Sequence, residues 1–235
     1  MINITWNRNW INSFESGWSI LEKIKYANVI TTRDLLSEFG TPSAKRLRSS
    51  IIGRQHRGLV ELEGFNHEHL TNSLGINILH HTRYCLNKMI GMFSNNADAS
   101  SLLRNEFTYC EKCLSMGYHS LLHQFCLLNQ CPFHLCELSS TCSNCGKSLN
   151  FELLNQTRAG GFICNCTKKI IDYTFSSFTE WQFTQPIKNQ LLLKWLDMDL
   201  SASGKLTSTY LYLPALVNKP HAMKFLLEFH ETSLH

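Results

Sequence analysis

The chain has 235 residues, of which 43% are apolar and 17% charged, and carries a formal net charge of +4. That length suits one large or two small domains with a sizeable core, and no run approaches the ~20 apolar residues needed to span a bilayer. Near the N-terminus, Asn3, Asn7, Arg8, Asn9 and Asn12 stand among Trp6, Trp10 and Ile11, a pattern without the apolar core of a secretory signal; the sequence therefore reads as a cytoplasmic protein.

Trp18, Leu21, Ile24 and Ala27 recur at helical spacing and predict a helix from Trp18 to Ala27. Thr31-Thr32-Arg33-Asp34 fits a capping box that opens a short helix ending at Gly40. Thr41-Pro42-Ser43 reads as a turn, and Ala44 to Ile52 as a further helix stopped by Gly53. Two short helices joined by a tight turn form a helix-turn-helix pattern. The second of them holds Lys45, Arg46 and Arg48, Arg54 and Arg57 come just after it, and no acidic residue occurs from Thr41 to Gly58. Such a window fits a helix that contacts nucleic acid or a partner; it equally fits a solvated helix face with Leu47, Ile51 and Ile52 at its back. A helix is expected around Ile76 to Phe93, with Leu79, Met89 and Ile90 in the core, followed by a polar linker from Ser94 to Ser101. His67-Glu68-His69 lacks the spacing that puts two histidines on one helical face.

Between residues 110 and 166 lie four close pairs of metal-type ligands: Cys110/Cys113, Cys131/His134, Cys142/Cys145 and Cys164/Cys166. The pattern is C-x2-C-x17-C-x2-H, seven residues, then C-x2-C-x18-C-x-C. Each close pair can turn two side chains onto one ion, and two pairs complete a tetrahedron. Nine of the ten cysteines fall in this window, with Cys85 outside it, a clustering that favours metal-bound thiolates over a disulfide scaffold. Cys126 and Cys136 are left over and read as small buried residues. His119 and His123 belong to no close pair, so Cys131/His134 is kept. Four cysteine-rich ligands per site describe two closed, structural zinc ions, whose removal is expected to unfold residues 110 to 170. Seven thiolates (−7) and two zinc ions (+4) take the formal charge from +4 to +1, so any contact with DNA must come from local patches.

Beyond the ligands, aromatics cluster at Phe175, Phe178, Trp181 and Phe183, either as core against the zinc module or as a platform for bases. A helix is expected from Pro186 to Leu196, and a last one from near Pro220 with Met223, Leu226, Leu227 and His230 along it. The fold expected is mainly α with small β. It comprises a helical, helix-turn-helix-like domain with its linker over 1–100, a tandem zinc-finger module over 101–175 and a helical segment over 176–235. There is no P-loop, no G-x-S-x-G and no dinucleotide-binding glycine pattern. His123 and Cys126 sit three apart, but a cysteine nucleophile inside a zinc module would be unusual. The expectation is a protein without enzymatic activity.

The stretch Tyr109-Cys110-x-x-Cys113, Gly117-Tyr118-His119-x-x-x-His123-Gln124, Cys131-Pro132-x-His134 and Cys142-x-x-Cys145-Gly146 resembles the TniQ/TnsD family of transposition target-selection proteins. Glu15-Ser16-Gly17-Trp18 is similar to the acidic-aromatic-serine start of that family's first helix. Two features depart from the pattern: His123 stands where Trp is common, and the last pair is C-x-C where C-x-x-C also occurs. The resemblance implies a bacterial, nucleoid-associated adaptor in DNA integration that recruits an AAA+ ATPase transposition regulator. Targeting would come from an attachment site in DNA or from a CRISPR effector complex with its guide RNA, with homodimer formation also implied. It further implies Cys110, Cys113, Cys131 and His134 as one zinc site and Cys142, Cys145, Cys164 and Cys166 as the other. Lys147, Lys168 and Lys169, beside the second site, could contact phosphate. Two other classes stay open. One is a sequence-specific DNA-binding regulator; the other is a RING or LIM interaction module, which in the RING case would pair Cys110/Cys113 with Cys142/Cys145. The seven residues between the second and third pairs favour sequential sites over that cross-brace.

Overall fold

The computed structural model describes residues 4–47, 61–93, 100–153, 158–172, 178–198, 213–217, 219 and 221–233. The helix α1 (Gly17–Asn28) is the axis of the fold. Ser16 caps it, its side chain accepting from Ser19 N–H and so satisfying one of the four orphan amides at the helix start. All residues from Gly17 to Lys25 are buried, the charged Glu22, Lys23 and Lys25 among them. α1 is thus wrapped on every side, where an amphipathic pattern alone would leave a polar face in water.

Thr31 opens α2 (Thr32–Phe39) with the expected capping box, in which Thr31 Oγ1 accepts from Asp34 N–H and Asp34 accepts from Thr31 N–H. The Thr31 hydroxyl, which donates to Asp34 Oδ2 at 2.7 Å, and then the Thr31 N–H hold the Asp34 carboxyl below the usual carboxylate range. After Gly40, α3 (Pro42–Leu47) begins two residues earlier than the sequence suggests. Thr41 accepts from Ala44 N–H, and proline is pre-set for the first helical position, where it has no amide to satisfy. Arg48, Arg54 and Arg57, with Ile51 and Ile52, lie outside the described residues.

A helix that was not expected, α4 (His67–Leu74), comes next, capped by Asn66 and closed by Gly75 in the left-handed region. It places His69 against the Phe39 ring and within 3.2 Å of Glu38. Asn77 caps α5 (Ile78–Ile90), which starts two and ends three residues inside the expected bounds. α6 (Glu111–Ser115) carries Cys113. α7 (Gln190–Asp197) starts at Asn189 because that side chain accepts from Leu192 N–H; Pro186 to Lys188 stay extended, and Lys188 N–H bonds Pro132 O. α8 (Ala222–Ser233) packs on α7. The described structure is mainly helical, and strand pairing is confined to isolated antiparallel bridges. Among the described residues no helix is long and apolar enough to cross a membrane.

Two hydrophobic cores result, and each joins residues from both sides of residue 100. The first surrounds α1 and takes in Leu35, Phe39, Phe107, Leu149, Phe162, Cys142, Cys164 and Trp181. The second lies among α5, α7 and α8 and includes Cys110, Cys113, Cys131, Leu122 and Phe125. Trp10, Tyr26, Phe178 and Trp181 stack in one aromatic group, and Trp181 Nε1–H bonds Met116 O. Of the aromatics read either as core or as a platform, Trp181 is core and Phe178 packs against it; Phe183 is exposed, and Phe175 lies outside the described residues.

Candidate metal centres

Three of the four ligand pairs sit in the same local device. Bridges Gln130↔Glu137, Thr141↔Ser148 and Ile163↔Lys169 each close a small loop around one pair. In every loop the first ligand's N–H bonds a carbonyl near the far side: Cys131 to Cys136 O, Cys142 to Lys147 O and Cys164 to Lys168 O. The residue after the second ligand then takes a left-handed conformation, at Leu135 (φ 52), Gly146 (φ 67) and Thr167 (φ 73). This reversal swings both side chains to one side of the loop. The third loop is one residue shorter, spanning 163 to 169 where the others span 130 to 137 and 141 to 148, which accounts for C-x-C in place of C-x2-C. The remaining pair is held differently: Cys110 is the residue before α6, and Cys113 lies on its next turn.

The loops pair sequentially. Cys110, Cys113, Cys131 and His134 form one tetrad and Cys142, Cys145, Cys164 and Cys166 the other, with ligand atoms within 4.8 Å of one another in each. Ligands at about 2.3 Å (sulfur) and about 2.0 Å (nitrogen) from one ion, at tetrahedral angles, stand about 3.5 to 3.8 Å apart. In the first tetrad Cys113 and Cys131 sulfurs are 3.6 Å apart, and His134 Nδ1 lies 3.6 Å from Cys110, 3.2 Å from Cys113 and 3.7 Å from Cys131. In the second, Cys142–Cys166 is 3.8 Å and Cys145–Cys164 is 3.9 Å. Each tetrad therefore has the size and donor set to hold one metal ion, and the cross-braced alternative does not apply.

Electrostatics point the same way. Without a cation, hydrogen bonds from the Cys110 and Cys113 thiols draw Cys131 down to about 3, while its neighbours and burial push Cys113 far up. In the second tetrad burial lifts Cys164 to about 12, and the Asn144 amide, then a backbone amide, lowers Cys166 to about 6. So many thiolates cannot share such a small volume unless a cation stands between them.

The histidines set aside in the sequence have other work. His119 is fully buried; Nδ1 accepts from Ser16 Oγ at 2.8 Å and Nε2–H donates to Thr108 O at 2.9 Å, so neither nitrogen is left for a metal. Its tautomer is assigned from these partners. His123 Nε2 lies 3.7 Å from Cys131 Sγ, and Nδ1 accepts from Ser120 N–H. Burial lowers it to about 4, and the neutral ring orients the Cys131 thiolate by donating to it. Cys126 does not pair with His123; its amide bonds Leu102 O, and burial pushes its thiol up. Cys85 is likewise buried and raised to about 11.

Sequence reasoning missed the frame that joins α1 to this module. Ser16 N–H bonds His119 O, His119 N–H bonds Ser19 Oγ, and Leu121 N–H bonds Phe14 O. Tyr118 OH donates to Ser13 O, and Trp18 Nε1–H to Glu152 O. Glu22 accepts from Phe162 N–H at 2.7 Å beside Gly161, where a Cβ would collide with Glu22 O, so only glycine lets the chain pass. Two ion pairs, Glu15–Lys23 at 2.8 Å and Glu22–Lys25 at 2.9 Å, have no exposed side-chain surface. Arg104 ties the next loop, donating to the carbonyls of His123, Phe125 and Leu128.

Of the basic residues singled out, Lys45 and Arg46 are exposed on α3, with Lys45 Nζ 3.4 Å from Glu38 O. Lys147, Lys168 and Lys169 are exposed beside the second tetrad, where Lys168 donates to Ser143 Oγ at 2.7 Å. Comparisons of the chain with protein families, with curated proteins and with solved structures find no match.

Proposed function

We propose that this chain is a non-enzymatic target-selection adaptor in DNA transposition, built around two structural zinc ions. On this reading it links a target-recognition complex, RNA-guided or bound to an attachment site in DNA, to an AAA+ ATPase regulator. The observation that supports it most is where the residues of the family resemblance meet. Glu15-Ser16-Gly17-Trp18 and Gly117-Tyr118-His119, far apart in sequence, are bonded to each other through Ser16, Ser19 and His119. A motif made of two distant halves that interlock in one structure is a more specific resemblance than ligand spacing by itself. Zinc is the metal the donors favour: three thiolates with one imidazole, and four thiolates, are typical of closed structural zinc. An ion so enclosed has no open position for water and is a poor Lewis acid, which fits a scaffold.

Lys45 and Arg46, with Arg48, Arg54 and Arg57, are assigned on this reading to DNA or to the targeting complex, and Lys147, Lys168 and Lys169 to phosphate. The test mixes the metal-loaded protein with an AAA+ ATPase transposition regulator, ATP and duplex DNA. Co-assembly on a sizing column is expected. The variant with Arg46, Arg48 and Arg54 changed to Glu should bind DNA or the effector complex at least about ten-fold more weakly at about 0.1 M salt, with unchanged metal content. No co-assembly by folded, metal-loaded protein would defeat the adaptor reading, and tight binding to one duplex sequence without the ATPase would replace it with a DNA-binding regulator.

A further inference from the structure

The first tetrad has a fifth donor beside it. Cys136 Sγ lies 3.5 Å from Cys110 Sγ, although Cys136 is not one of the four ligands. Its carbonyl closes the loop around Cys131 and His134, accepting from Cys131 N–H at 2.8 Å, so the backbone fixes where the thiol stands. Cys136 is partly exposed, whereas Cys110, Cys113 and Cys131 have no exposed surface. A peroxide molecule in water can therefore reach Cys136 while it cannot reach the buried sulfurs. Bringing two sulfurs from this separation to a disulfide needs a closure of about 1.5 Å, within the range of side-chain rotation.

We infer that Cys136 is an oxidation site that opens the first metal centre by forming a disulfide with Cys110. The inference rests on the reading of the first tetrad as a metal site. The oxidant class is hydrogen peroxide. The Cys136 thiol takes one oxygen from peroxide to become a sulfenic acid, releasing water. The Cys110 thiolate then attacks the sulfenic sulfur; the S–S bond forms, the S–O bond breaks, and hydroxide leaves. Each sulfur loses one electron and peroxide gains two. Cys113, Cys131 and His134 remain, one ligand short of a closed site, and the imidazole and two thiolates lose the ion. The second tetrad has half-exposed ligands of its own, Cys145 and Cys166, and exposure alone would have it oxidise first. Those two sulfurs also have neighbours, at 3.8 and 3.9 Å, but in the loaded protein both are engaged by the ion, whereas Cys136 lies outside its tetrad with its sulfur uncoordinated, and that difference reverses the order.

The experiment treats the whole chain, shown beforehand by metal analysis to hold two ions, with hydrogen peroxide in the presence of a chromogenic chelator. Released metal is monitored, and disulfides are mapped by mass spectrometry. One equivalent is expected to leave first, together with a Cys110–Cys136 crosslinked peptide, and Cys136→Ser is expected to slow that phase at least ten-fold. Loss of metal first from the second tetrad, or equal rates in wild type and Cys136→Ser, would overturn the inference while leaving both metal sites standing. Should Cys136→Ser fail to fold, the crosslink in the wild-type protein decides: its presence in the first phase supports the inference and its absence defeats it. A purified protein holding no metal defeats the metal reading and the inference together.

Discussion

Stripping the metals from this protein with a strong chelator is expected to unfold both of its cores, and not the region from 110 to 170 alone. A structural zinc of this type supplies on the order of 10 kcal/mol, as much as the whole stability of an ordinary domain. The structure explains why the loss spreads. Cys142 and Cys164 belong to the core around α1, and Cys110, Cys113 and Cys131 to the core among α5, α7 and α8. When the loops that hold these ligands loosen, Trp18 loses Phe107 and Phe162, and Trp195 loses Phe125. Near-UV circular dichroism should collapse on chelation, and protease should cut within residues 17–28 as readily as within the metal module. Retention of the aromatic signal, or protection of α1 in a metal-free sample, would show that the cores stand without the ions.

Lys23→Ala is expected to cost roughly 3–5 kcal/mol, because it leaves the Glu15 carboxylate buried without its cation. Burial lowers the Lys23 pKa and Glu15 opposes that shift, so the ammonium is held in place by its partner. Glu15 also accepts from Asn12 N–H and Ser19 Oγ, and Lys23 bonds Trp10 O and faces the Trp181 ring at 5.2 Å. The pair thus joins the residues before α1, α1 itself and the aromatic group of Trp181. Denaturant midpoints at saturating metal should show the loss, and the double variant Glu15→Gln, Lys23→Met should regain much of it, since it buries no lone charge. A loss below about 1 kcal/mol in the single variant would mean that water reaches the carboxylate.

What is legible in the sequence is what local chemistry decides. The capping box at Thr31 and Asp34 and the four ligand pairs are fixed by residues a few positions apart, and the structure has them as read. Helix starts differ from expectation where a cap decides them: Thr41 before Pro42, Asn189 before Gln190, and Asn66 with Gly75 around α4. Those signals are present in the sequence and suffice to place the helices. The buried charges cannot be read the same way. Glu22, Lys23 and Lys25 look like the wet side of an amphipathic helix; in the structure Glu22 is met by Phe162, distant in sequence, and by Lys25, and Lys23 by Glu15 from before the helix. His119 is a similar case, a histidine in a cysteine-rich stretch whose two nitrogens are occupied by Ser16 and Thr108. Cys136 reads as a spare apolar residue because nothing in its spacing tells that its loop closure aims it at Cys110.

The central claim is two independent, sequentially paired metal sites, and native mass spectrometry with single-site variants tests it most directly. Wild-type protein should carry two zinc ions. Cys113→Ser should retain one, held by Cys142, Cys145, Cys164 and Cys166, and Cys145→Ser should retain one, held by Cys110, Cys113, Cys131 and His134. Full metal content in both variants, or a wild-type protein holding fewer than two ions, would contradict the account.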